Sequence, residues 1–114
     1  MKPPQLKTIR QFYGLRFFGY GDAYEVGLRT DRETVLKHLG TAFQVETIGR
    51  AYDGSYILQP SLRTEIAVFV RPDSLEFFVR SRATVCIRLW PSRFRRQIQR
   101  FIELVWAEQN PPIS

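Results

Sequence analysis

From Leu75 to Trp90 the sequence alternates for sixteen residues: Leu75, Phe77, Val79, Ser81, Ala83, Val85, Ile87 and Leu89 on the odd positions, Glu76, Phe78, Arg80, Arg82, Thr84, Cys86, Arg88 and Trp90 on the even ones. A strand turns successive side chains to opposite faces, so this phase predicts a β-strand with the odd set on a core and the even set on the other side. Sixteen residues exceed an ordinary strand, and a bend is expected near Ser81 to Ala83 with the phase kept across it. Arg80, Arg82 and Arg88 would then share a face with Trp90.

The segments before it read as its neighbours. Ile66, Val68 and Val70 alternate with Ala67 and Phe69, and Arg71-Pro72-Asp73-Ser74 makes a turn into the long strand. Upstream, Phe43, Val45 and Thr47 alternate with Gln44 and Glu46. Asp53-Gly54 reads as a type I′ hairpin turn, which requires two residues with positive φ, and Ser55 to Gln59 returns before a turn at Pro60 to Arg63. Such short connections make antiparallel neighbours.

Thr30 and Glu33 have capping-box spacing, Leu36 and Leu39 give an apolar stripe and Gly40 a stop, so a short helix is expected over 31–39. Before it, LRFFGYGDAYEVGL reads as two strands joined by a glycine-rich turn at 19–22. Leu6, Ile9, Phe12 and Tyr13, at near-helical spacing after Pro3 and Pro4, predict a short N-terminal helix, with an extended arm as the rival reading. Pro91 and Ser92 open a last helix in which Phe94, Ile98, Phe101, Ile102 and Val105 form one apolar stripe and Arg93, Arg96 and Arg100 lie on the far side; Asn110-Pro111-Pro112 ends it. The expected architecture is α+β: an antiparallel meander sheet of four to six strands, with a short helix near 31–39 and a long C-terminal helix packed on one face.

A chain of 114 residues, 44% hydrophobic, is long enough for one core and short for two. It is read as a single domain over 1–114, with 1–5 a disordered arm and 109–114 a tail. No run approaches the roughly 18 to 20 apolar residues that cross a bilayer, and a soluble, cytoplasmic protein is expected. One cysteine and one histidine cannot supply a disulfide or a protein-only zinc site; no metal and no cofactor are expected.

The net charge of +6 has a location. Arg80, Arg82, Arg88, Arg93, Arg95, Arg96 and Arg100 fall within 21 residues that contain no acid, while the rest of the chain has ten bases against eleven acids. Such asymmetry points to an anionic partner. Arginines at the start of a helix oppose its macrodipole, and Glu103 and Glu108 oppose it at the other end, each at a cost of roughly 0.3 to 1 kcal/mol when exposed. Selection for stability alone would reverse them; a positive helix start is instead suited to anions. The competing explanation is that the arginines keep an outer face wet and pair with Glu25, Glu33, Glu46, Glu65 or Glu76.

Other groups carry less. Phe12, Tyr13, Phe17, Phe18, Tyr20 and Tyr24, interleaved with Arg10 and Arg16, lack the order of an RNA-binding sheet and are better read as core. His38 has no acid or nucleophile near it in sequence, Cys86 reads as a small buried side chain, and Gly19, Gly21 and Gly27 form no phosphate-binding fingerprint. A non-enzymatic role is expected.

The stretch VRSRATVCIRLWPSRFRR, Val79 to Arg96, resembles the C-terminal signature of a family of small bacterial and plastid proteins, approximately VRSxSRxGxxDxGxNRxR. Val79, Arg80, Ser81 and Arg96 align without a gap, with Arg95 beside the last of them, whereas the family's Gly, Asp and Asn positions hold other residues here. The order of elements extends the likeness over 30–105. The family has no established activity, so the resemblance implies a fold rather than a reaction.

Together these features predict a non-catalytic basic binding or assembly module whose Arg80 to Arg100 face engages a polyanion, nucleic acid first. The alternative is a peripheral factor that docks on an anionic membrane or an acidic protein surface through Trp90, Trp106 and the arginines of the last helix.

Overall fold

A computed structural model describes residues 2–14, 19–62, 64–82 and 90–111. In chain order these form β1 (Lys7–Gly14), β2 (Gly19–Val26), α1 (Arg32–Phe43), β3 (Gly49–Arg50), β4 (Tyr56–Ser61), β5 (Thr64–Val70), β6 (Leu75–Arg82) and α2 (Trp90–Gln109). The strands make one open antiparallel sheet in the order β1-β2-β6-β5-β4-β3. β3 to β6 run as the expected meander, and the β1–β2 hairpin joins its β6 edge.

Alternation worked where the partner strand was near in sequence. Leu75, Phe77 and Val79 are fully buried and meet Val70, Val68 and Ile66 in register, while Glu76, Phe78 and Arg80 lie on the opposite side. α2 covers the buried side through Phe94, Ile98, Phe101, Ile102 and Val105, the predicted stripe, all buried. The rings of Phe77 and Phe101 meet edge to face at 5.8 Å, a favoured aromatic geometry. α1 packs beside α2 and adds Val35, Leu39, Ala42 and Phe43 to the same core. Both helices therefore lie on one face of the sheet, and its other face is uncovered among the described residues.

The N-terminal segment is strand, not helix. Lys7 to Gly14 pairs with Gly19 to Glu25, with an irregularity between Thr8 and Arg10. Gly19 to Val26 is accordingly one strand rather than two around a turn. The expected disordered arm is held at its end, where Pro4 and Leu6 bond to α2 and Leu6 enters the core.

α1 starts one residue later and runs further than expected. Its N-cap is Asp31, whose Oδ1 accepts from the Thr34 backbone N–H at 2.7 Å. That bond lowers the Asp31 pKa and replaces the expected Thr30–Glu33 box. Gly40 lies inside the helix, which continues to Phe43 because Ala42 and Phe43 are buried; it ends at Gln44, in left-handed conformation at φ 54°. The predicted strand from Phe43 shrinks to Gly49–Arg50.

The turn at Asp53-Gly54 is where the sequence placed it, but of another type. The Gly54 N–H donates to Ala51 O and the Ala51 N–H to Ser55 O, both at 3.0 Å, and Gly54 alone of the pair has positive φ, 87°. This is a three-residue loop closed by a glycine bulge. In such a loop Gly54 alone takes positive φ, and the Asp53 carboxylate accepts from the backbone N–H and hydroxyl of Ser55, bonds that lower its pKa. The Arg71–Ser74 turn is as expected, with the Arg71 N–H donating to Ser74 O.

Trp90 begins α2 instead of ending a strand. Of the span expected to bend, Ser81 and Arg82 continue β6 in register with Tyr20 and Gly19; Ala83, the phase beyond it, Cys86 and Arg88 lie outside the described residues. Asn110 closes α2, bonding to Trp106 O through its backbone and side chain. Among the described residues no helix is long and apolar enough to cross a membrane.

Candidate anion-binding surface

α2 positions the surface. Its apolar stripe is pinned to the sheet, and three of its arginines stand off that stripe. Arg95, Arg96 and Arg100 are all exposed there. Arg96 and Arg100 are four residues apart, neighbours on successive turns.

Arg95 also has a structural task. Its Nη2 donates to Leu6 O at 3.3 Å, while Gln99 accepts from the Leu6 N–H at 3.2 Å and donates to Pro4 O at 3.4 Å. One turn of α2 thus satisfies backbone groups of Pro4 and Leu6, and the segment that carries the exposed Lys2 and Lys7 runs beside Arg95.

Three of the acids pair with bases elsewhere. All eleven are among the described residues. Asp73 pairs with Arg29, Glu76 with Arg71, and Glu108 with Lys37 and His38. None pairs with Arg95, Arg96 or Arg100 among the described residues. Glu76, one of the acids of the competing explanation, accepts instead from Arg71 at 2.9 Å. Glu108, in the last turn of α2, is held below the usual carboxylate range by hydrogen bonds from Lys37 and then His38.

The seven arginines do not form one patch. Arg80 is exposed on the uncovered face of the sheet, opposite Glu65 on β5, and so on the other side of the molecule from Arg95, Arg96 and Arg100. Arg82 ends β6 opposite Gly19, and Arg93 lies in the first turn of α2. Because α2 begins at Trp90, Arg95 and Arg96 belong to its second turn. Dipole effects fade within the first turn, so that argument holds for Arg93 alone.

Two features were missed. His38 does meet an acid, 70 positions away, because α1 and α2 pack side by side. The uncovered sheet face holds an apolar strip including Phe69 and Phe78; its signal was the presence of apolar residues in both phases of IAVFV and LEFFV. Tyr24, from the aromatic cluster, is buried as expected, and its hydroxyl donates at 2.9 Å to the buried Asp22.

No protein-family model, curated protein or solved structure matches this chain.

Proposed function

We propose that the chain is a non-catalytic module that binds a polyanion, nucleic acid in the first instance, through the outer face of α2. The observation that carries the reading is that Arg96 and Arg100 stand exposed on adjacent turns, while among the described residues no acid pairs with either of them. Guanidinium groups left without carboxylates suit phosphate, which they hold through parallel N–H bonds. Lys2, Lys7 and Arg95 extend the positive surface along the tethered segment. Arg80 and Glu65 take no part, since the sheet lies between them and α2.

The membrane alternative requires exposed aromatic anchors beside the arginines. Trp106 packs partly against the core, which favours the polyanion reading.

Tryptophan emission and binding, followed separately with single-stranded nucleic acid, duplex nucleic acid and anionic vesicles, test the proposal. Binding to nucleic acid and release at high salt are expected, with at most a salt-labile response to vesicles. A salt-resistant blue shift with vesicles and no binding to nucleic acid would overturn the reading.

A further inference from the structure

When helices cover one face of an antiparallel sheet, the other face is normally polar. Here it is not. Across β4, β5 and β6, Ile57, Ala67 and Phe78 stand side by side in register. Phe69 meets Phe78 edge to face at 5.4 Å, and the Arg71 guanidinium lies 5.6 Å over the Phe69 ring. With Glu65 and Arg80 these apolar residues line an open groove of about 460 Å³.

We propose that this face is covered by the same face of a second copy of the chain, related by a twofold axis that runs between β5 and β6 and parallel to them. Rotation about such an axis exchanges β5 with β6 and keeps the height along the strands. Each residue therefore lands over its own cross-strand partner in the other copy. Phe78 falls over Ala67 of the second copy, a large side chain over a small one; Glu65 falls over Arg80, an acid over a base; and Phe69 falls over Glu76, whose carboxylate already holds Arg71. Each pair recurs by symmetry. A closed dimer demands this self-complementarity of a single patch, and sheets pack face to face in roughly this alignment. A polyanion fits poorly, because Glu65 and Asp53 flank Arg80 around the groove. Arg96 and Arg100 lie on the far side of the sheet, so dimerisation leaves them open, and this inference stands or falls separately from the polyanion reading.

Sedimentation velocity over a range of concentrations tests it, with Glu65→Arg and Arg80→Glu, both at exposed positions, checked for intact fold by circular dichroism. The wild type is expected to dimerise. Each variant sets like charges against each other and should weaken dimerisation by about tenfold or more. An equimolar mixture of the two variants should recover dimers, because the arginine introduced in place of Glu65 in one copy meets the glutamate introduced in place of Arg80 in the other. A wild type that stays monomeric throughout, variants that dimerise as it does, or a mixture that stays monomeric would overturn the proposal.

Discussion

His38 Nε2, on α1, lies 2.9 Å from Glu108 Oε2 in the last turn of α2. The same carboxylate accepts from Lys37 Nζ at 2.7 Å. An acid at a helix C-terminus opposes the macrodipole, and α2 has no base of its own in that turn. α1 supplies the positive charge, so the contact joins the two helices across the top of the core.

This clasp predicts a pH dependence. Lys37, then His38, lower the Glu108 pKa from its ordinary value of 4.5. A depressed carboxylate contributes stability that is present above its unfolded pKa and lost as pH falls through the folded value. Thermal unfolding of wild type and Glu108→Gln should differ at pH 6 to 7, with the variant less stable, and converge well below pH 4.5. A difference that stays constant down to acid pH would contradict the assignment.

Gln44 ends α1 at φ 54° and is exposed, a conformation that glycine adopts without steric cost. Gln44→Gly should raise stability by about 0.5 to 1 kcal/mol in denaturant titration, since the relieved strain exceeds the added entropy of the unfolded chain. A loss of stability would mean that the Gln44 side chain contributes more than its backbone costs.

Ile98 is fully buried between α2 and the sheet. Ile98→Asp places an unpaired charge there and should unfold the domain, because the penalty of several kcal/mol is comparable to the whole stability of a small protein. Far-UV circular dichroism reads the result, and a cooperative melt unchanged from wild type would refute the packing of α2.

Periodicity disclosed what depends on a single element. Leu75, Phe77 and Val79 on β6 and the Phe94 to Val105 stripe on α2 announced their buried faces without reference to any partner. β1 did not, for a physical reason: the register shift between Thr8 and Arg10 breaks its alternation, and Leu6, Ile9 and Phe12 are left at a spacing that imitates a helix. α1 outran Gly40 because tertiary burial of Ala42 and Phe43 outweighs a glycine penalty of about 1 kcal/mol. Of the proposed surface, Arg96 and Arg100 were legible from the helical stripe opposite them. That Arg80 lies across the sheet from them, and that Arg95 holds Leu6, depends on how the elements pack, which no local pattern encodes.

The polyanion reading is tested most directly by the salt dependence of binding to single-stranded and duplex nucleic acid, wild type against an Arg96→Gln/Arg100→Gln variant. If both guanidinium groups neutralise phosphates, log affinity falls linearly with log salt. The variant's slope should then be shallower by roughly 1.4 for single strands or 1.8 for duplex, at about 0.7 or 0.9 per phosphate contact, with the melting curve unchanged because both positions are exposed. Equal slopes for the two proteins, or no measurable binding by wild type at low salt, would contradict it.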